Sequence, residues 1–400
     1  MRRSPPITRK GLRLGSSQVL GAIRLVPVLR DQEIKGLRLL QGLTPEGAVG
    51  GPYRSQTDLV YVPHGLIMPW HVEREPAWVA AEGTLIGSPG RLGAGGFSGG
   101  DLVPHAPPRP GQRVAMMPMQ EALDRLMLRQ YGVTRPLRSL YGENTVALGR
   151  PGARDAMVAG PAIEGLSEAL ATFEILDGQV GALVHVCDTL AAAFVLPSAR
   201  DYRALHETLI GDFFAEMLAI HARRVDFGAA VETLPVRLES RGVTSLDELR
   251  ASLVRARGEL ARYVETLSAD LFEANLEREV LKQRGDFSLE RFITDLDPRR
   301  RVAHVGEAIF TRHNRLAYLK TSLLSRQQIR RAYLFSRLHA HRWDLEAAAR
   351  ALRESVPSVQ ARLTRFGFGH LLKPDALAAL QTGALGKRVT PQRRRRSRRR

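Results

Sequence analysis

Gly96-Phe97-Ser98-Gly99-Gly100 has the G-x-S-x-G spacing in which a serine becomes a hydrolytic nucleophile. That chemistry needs the serine on a sharp turn between a buried apolar strand and a helix. Here Ser88-Pro89-Gly90-Arg91-Leu92-Gly93-Ala94-Gly95 comes before it, and Pro104 and Pro107 come after. Neither flank is the required element, and Asp101 and His105 nearby do not restore it. The stretch reads as a glycine-rich loop. Gly93-Ala94-Gly95 would need Gly or Ala at 98 to complete a dinucleotide-binding turn, and Ser98 stands there. The chain contains no Gly-Lys-Ser or Gly-Lys-Thr of a phosphate loop. ATP or NAD binding through these loops is not expected, and no cofactor is.

His64, His71 and His105 fall near Glu73 and Glu75 in the same loop-rich region. His71-Val72-Glu73 would place two ligand types on one strand face, but the spacings match no metal motif. No metal is expected, and whether these histidines form any site stays open. His185-Val186-Cys187-Asp188 sets a thiol beside an imidazole, which could activate a nucleophile. In an alternating strand His185 and Cys187 share a face, and a buried cysteine in an apolar strand is expected to be inert packing. A single cysteine among 400 residues excludes an intrachain disulfide and a multi-thiolate zinc cluster.

Charge is a stronger signal. Residues 1–300 carry 36 basic and 36 acidic side chains, whereas residues 301–400 carry 23 and 5, so the whole net charge of +18 lies in the last quarter. Nine of those charges are Lys387, Arg388, Arg393 to Arg396 and Arg398 to Arg400. A neutral body with a basic end suggests a polyanion docked by that end, and DNA, RNA and an anionic lipid surface all qualify. A solubilising tail is the plainer alternative. Hydrophobic residues make up 44%, which rules out wholesale disorder, and no apolar run is long enough for a membrane span. A soluble, cytoplasmic protein is expected.

The elements that would carry these residues fall into an α+β pattern. Val19 to Leu29 reads as a strand with Pro27 at an edge or bulge, and Asp58 to Val62 as another. Met119 to Tyr131 reads as a helix. Ala171 to Leu176 and Gln179 to Cys187, joined by Asp177-Gly178, read as a hairpin, because Asp-Gly suits a tight type I′ turn. After Pro197 an apolar stripe from Tyr202 to Ile220 predicts a helix capped by Asp201. Ser245-Leu246-Asp247-Glu248 predicts a capping box. Leu246, Leu249, Leu253, Ala256, Leu260, Tyr263 and Leu267 then continue a heptad-like seam, which either packs on its own domain or forms a homodimer through 246–267. A second helical region is expected from Arg299 onward.

The densest constellation is Ile329 to His341, then Leu345 to Leu352, then Val356 to Phe366, which predicts three helices. Asp344 caps the second and Ser355 the third, and Pro357 is tolerated in the first turn. Leu352, Val359, Leu363 and Phe366 form the shared core, Ala347-Ala348-Ala349 allows close approach, and Gly367 ends the last helix. Over about 326–370 this resembles the Fis-type helix-turn-helix, a small bacterial DNA-binding module also found at the end of sigma-54 activators. The resemblance implies that Val356 to Phe366 enters the major groove, with Ser358, Gln360, Arg362 and Arg365 available to bases and phosphates. Lys373 and the tail arginines Arg393, Arg394, Arg395 and Arg396 extend that basic surface. Arg353 stands where the family usually has Gly, Glu354 replaces an apolar residue, and Val356-Pro357 replaces an early Arg or Asn. A purely structural three-helix unit is the alternative.

The body, 14–236, resembles the ARPP domain, associated with ADP-ribosylglycohydrolase and rhodanese-phosphatase proteins of bacteria. Ser17-Gln18-Val19-Leu20-Gly21, Ile23 to Val28, Tyr61-Val62-Pro63-His64-Gly65, Asp201 to His206 and Asp212-Phe213-Phe214 carry that resemblance. It implies an accessory protein of a multi-component system and no catalytic residues. The expected organisation is a basic N-terminus (1–14), a β-rich ARPP-like domain (15–236), a helical connector (237–325), a Fis-like unit (326–380) and an Arg-rich tail (381–400). The expected function is a non-enzymatic accessory or regulatory protein on duplex DNA. The alternatives are binding or processing of a nucleotide or ADP-ribose-like ligand by the N-terminal domain, and a protein-interaction scaffold. No membrane partner is expected.

Overall fold

The structure, a computed structural model, describes residues 2–39, 58–60, 66–72, 75–81, 85–86, 115–116, 119–133, 171–206, 209–210, 243–296, 299 and 302–382. The first strands are β1 (Arg2–Ser4), β2 (Leu12–Leu14), β3 (Gln18–Leu20) and β4 (Ile23–Arg30). Short strands follow: β5 (Arg38–Leu39), β6 (Asp58–Val60), β7 (Leu66–Val72), β8 (Glu75–Ala81), β9 (Leu85–Ile86) and β10 (Ala115–Met116). The rest are β11 (Gln179–Val186), β12 (Thr189–Val195), β13 (Leu276–Arg284), β14 (Phe287–Thr294), β15 (His304–Thr311) and β16 (Leu316–Leu323). Ten of them form one antiparallel sheet, ordered β1-β13-β14-β15-β16-β12-β11-β4-β2, with β3 also on β4. The small strands form two three-stranded sheets, β10-β7-β8 and β5-β6-β9.

The two edges of the large sheet, β1 and β2, are joined by residues 5–11 alone. A flat sheet of this order would separate its edges by roughly 38 Å, at about 4.8 Å per strand spacing. The chain from Ser4 to Leu12 reaches at most about 28 Å when fully extended. The sheet therefore has to curl, and the linking segment runs against its interior. Ile7 in that segment is 1% exposed and joins the apolar cluster of Val26, Val28, Leu183, Val195, Phe292 and Leu319. The Arg278 guanidinium donates to the Pro5 carbonyl at 2.9 Å and ties the segment to β13.

Alternate side chains of the same strands feed a second cluster, with Ile23, Leu25, Phe194, Ile309 and Tyr318 packed under Ile34, Leu37, Phe173 and Tyr202. The central strands are thus buried on both faces, which is why β11, β15 and β16 read as nearly continuous apolar runs. Gly306 permits the close approach of two of these strands: a Cβ there would lie 2.3 Å from the Lys320 carbonyl oxygen. Pro27 lies in the interior strand β4 without harm. Its carbonyl accepts from Gly15 N–H at 2.7 Å, so its missing donor points into the gap between β2 and β3 rather than at β11.

One row across four strands is charged. Glu279, Arg291, Glu307 and Lys320 stand directly opposite one another in β13, β14, β15 and β16. Arg291, Glu307 and Lys320 are all buried. Arg291 reaches Glu307 at 3.8 Å and Glu279 at 4.0 Å. Signs alternate along the row, so each buried charge faces its opposite.

The helices are α1 (Met119–Gln130), α2 (Leu246–Leu267), α3 (Ala269–Phe272), α4 (Arg326–Ala340), α5 (Leu345–Leu352), α6 (Val356–Arg365) and α7 (Pro374–Gln381). The capping box of α2 forms as the sequence predicts, with Ser245 Oγ accepting from Glu248 N–H at 3.2 Å. Val264, Leu271 and Phe272 close the cluster around Ile7. The overall class is α+β.

Three local expectations are corrected. Among the described residues of the expected helical connector over 237–325, α2 and α3 are the helices, and residues 276–323 supply four strands of the sheet. Phe287, Leu289 and Arg291 alternate with half-buried Ser288 and Glu290, a two-residue period that the apolar runs of β15 and β16 hide. Asp177-Gly178 does turn the chain, but 171–176 is not a strand; the hairpin is β11–β12. Ser198, not Asp201, caps the helical residues 199–206, its hydroxyl accepting from Asp201 N–H at 3.2 Å. The apolar stripe beyond Ile210 and the Gly96–Gly100 loop lie outside the described residues.

The charged row predicts an asymmetric response to mutation. Glu307→Gln leaves the buried Arg291 with Glu279 alone and removes the negative charge opposite Lys320, and should lower unfolding stability by about 3 kcal/mol. Asp247→Asn, at the exposed Asp247–Arg250 pair, should leave the urea midpoint unchanged. Equal midpoints for the two variants would show that the row carries no net stabilisation.

Candidate nucleic-acid interface

The C-terminal helices are built by their caps. Ser325 and Gln328 form a capping box at α4. Asp344 accepts from Glu346 N–H and Ala347 N–H at 2.9 and 3.1 Å and starts α5. Ser355 accepts from Ser358 N–H at 3.3 Å and starts α6, with Pro357 in the first turn. Arg353, where a glycine would be favoured, takes the left-handed conformation at φ 56° that ends α5, and Gly367 does the same after α6 at φ 83°. Ala348, Ala349, Val359 and Leu363 are buried, and Phe335 stacks edge-on against Phe368 at 4.9 Å between ring centroids.

These helices share their core with the rest of the protein. Leu126 and Met127 of α1, Tyr131 just after it, and Ile293 and Val305 of the sheet belong to the same cluster as α4, α5 and α6. Arg331 pairs with Asp124 of α1, and Ser336 Oγ donates to Glu277 of β13 at 3.2 Å.

Helix α6 turns Val359 and Leu363 inward and leaves Ser358, Ala361, Thr364 and Arg365 exposed. Arg365 lies over the Phe366 ring at 5.9 Å. Gln360 and Arg362 are half-buried at the margins of this face, and Lys373 is exposed at the start of α7. Arg393 to Arg396 lie outside the described residues. Two of the expected contact residues are engaged within the unit: Ser358 Oγ donates to Glu354 at 2.8 Å, and Arg362 forms an ion pair with the same carboxylate. Glu354 therefore holds the polar side of α6. Its four- and eight-residue spacing to Ser358 and Arg362 carried that signal, which reading it only as the replacement of an apolar residue missed. Arg353 and Arg350 are also exposed here, the latter 3.9 Å from Glu346.

Of the candidates in the body, His71 lies in β7 opposite Pro76 and Glu75 opens β8 opposite Val72, while His64, Glu73 and His105 lie outside the described residues. Cys187 does not continue the strand, which corrects its reading as buried packing. It and Asp188, at φ 48° and 56°, make the two-residue turn from β11 to β12, and Cys187 is exposed. Asp188 accepts from Arg24 Nε at 2.8 Å and from the Tyr263 hydroxyl at 2.7 Å. Burial raises the Asp188 pKa, but these two hydrogen bonds and the Arg24 charge outweigh it and hold the carboxyl below its usual value. Arg24, fully buried, also donates to Ser17 Oγ at 3.1 Å. The arrangement pins a strained turn, and it was invisible in sequence because its members are far apart in the chain. Among the described residues no group of three His, Cys, Asp or Glu side chains could hold a metal ion, and no helix is long and apolar enough to cross a membrane.

His185 and His304 are both fully buried. Burial holds His185 down to about 4, against the pull of Asp188. Burial and the neighbouring His185 hold His304 down to about 3. Both are neutral in the folded protein, whereas the unfolded chain takes up their protons near pH 6.5. Their contribution is complete above about pH 6.5 and is lost as pH falls toward 4 and then 3. The urea midpoint should drop between pH 6.5 and 5, where carboxylates remain ionised, and His304→Leu should flatten that slope. A wild-type midpoint constant over this interval would contradict the assignment.

A family model described as ARPP-2 matches residues 7–285. No curated protein and no solved structure matches the chain. The matched region takes in β2 to β4, the central hairpin β11–β12, α2 and β13, which supply six of the ten strands of the curled sheet and hold the pinned turn. On that match, the chain belongs to the ARPP-2 family.

Proposed function

We propose that the protein is a non-enzymatic accessory or regulatory protein that associates with duplex DNA through α5, α6 and the basic C-terminal end. The supporting observation is the outward face of α6: it keeps its apolar residues in the core and offers Ser358, Thr364 and Arg365 to solvent, in the quarter of the chain that holds all the net positive charge. A helix so placed, followed by a run of arginines, suits neutralisation of phosphates with side chains directed at base edges. Glu354 sets the level of that activity. It draws Ser358 and Arg362 away from an incoming phosphate and adds a negative charge beside it.

Deleting 326–400 would strip the core shared with α1 and the sheet, so substitutions give the cleaner test. Fluorescence anisotropy with labelled duplex should show binding at 50 mM salt that weakens by at least about tenfold at 200 mM. Arg365→Glu should weaken it by about tenfold, and Glu354→Gln should strengthen it, because one carboxylate charge is removed from the phosphate path. No binding at low salt, or Glu354→Gln weaker than wild type, would overturn the reading.

A second reading, a protein-interaction scaffold, draws on α2. Leu246, Leu249, Leu253 and Val254 are 71%, 43%, 37% and 67% exposed along its first half. Such a stripe suits a second copy of the helix. Light scattering of the full chain should give a dimer that Leu249→Glu with Leu253→Glu converts to monomer; a monomeric wild type would remove this reading.

A further inference from the structure

Arg30 is the last residue of β4, paired with Leu12 of β2, and is 7% exposed. Its Nη2 donates to the Leu196 carbonyl at a long 3.5 Å, while Nε and Nη1 are buried with no hydrogen-bond partner. A guanidinium presents five donors and stays charged, so leaving two of its nitrogens desolvated and unpaired is costly. The neighbouring charge makes matters worse. Arg315, half-buried at the start of β16, brings Nη2 to within 3.4 Å of where a Cβ on Gly11 would lie, next to the residue that pairs with Arg30. Burial and the Arg315 charge together hold the Arg30 pKa down to about 10. Two acidic groups of this region are engaged elsewhere: Asp31 pairs with Arg13 at 2.8 Å and Asp286 with Arg312 at 3.5 Å.

We propose that the Arg30 and Arg315 guanidiniums form a binding site for a phosphate group, where β2, β4 and the start of β16 come together. Two cations that repel one another are what a dianion relieves. Gly11, at φ 80°, leaves the approach free of a side chain beside Arg315. A phosphate offers enough acceptor oxygens to take the unused Nε and Nη1 donors of Arg30 while facing Arg315. The site lies in the sheet, independent of the α6 face, so it stands or falls apart from DNA binding.

The test is thermal melting of the full chain at fixed ionic strength, titrated with inorganic phosphate and, separately, with acetate. Phosphate should raise the melting temperature saturably, and acetate should not. Arg315→Gln should move half-saturation to at least about tenfold higher phosphate. Arg312→Gln, which removes an exposed arginine already paired with Asp286, should leave it in place. Arg30→Gln should abolish the effect, but it can also disturb β4, so Arg315→Gln is the deciding variant. Phenyl phosphate run in parallel separates the sources: saturation by both assigns the site to an esterified phosphate, and saturation by inorganic phosphate alone assigns it to the free ion. A rise that never saturates, that acetate reproduces, or that Arg315→Gln retains in full would overturn the proposal.

Discussion

Seven residues between two edge strands constrain the rest of the molecule. Because residues 5–11 are too short to cross beneath a flat sheet, the sheet must curl, and the curl creates an inner apolar cluster around Ile7. Burial on both faces follows for the central strands. Polar groups on those strands lose water, so charge there is favoured only where it is paired. The consequences are visible as the alternating row Glu279, Arg291, Glu307 and Lys320, the Arg24–Asp188–Tyr263 arrangement, and two neutral histidines.

Set against the paired arginines of these strands, Arg30 stands out. Arg24 has Asp188, Ser17 and the face of Tyr263; Arg291 has two carboxylates. Arg30, on the same strand as Arg24, has one long bond to a carbonyl and a second arginine for a neighbour. The contrast within one strand makes its unused donors informative, since the same backbone accommodates a fully paired arginine six residues earlier.

The C-terminal helices illustrate a different economy. Their caps and left-handed ends are local, but their core is not: α1 and the sheet complete it. A unit of this kind is fixed in position relative to the sheet rather than tethered to it. On the outward side of α6, Glu354 engages Ser358 and Arg362.

What the sequence by itself determined were features set within a few residues: the capping box of α2, the caps of α5 and α6, the left-handed position at Gly367, the helix α1, the uneven charge and the ARPP resemblance of the body. Only the tertiary structure decided the rest. The helical connector became four strands because β15 and β16 are buried on both faces, which erases the alternation by which a strand is recognised. Cys187 moved from core to surface because the hairpin turned at 187–188 rather than at 177–178, and a turn's position depends on the partner strand as well as on Asp-Gly. Arg30 and Arg315 are 285 positions apart in the chain. Their proximity follows from the curl of the sheet, a property of strand order and chain length that no local pattern records.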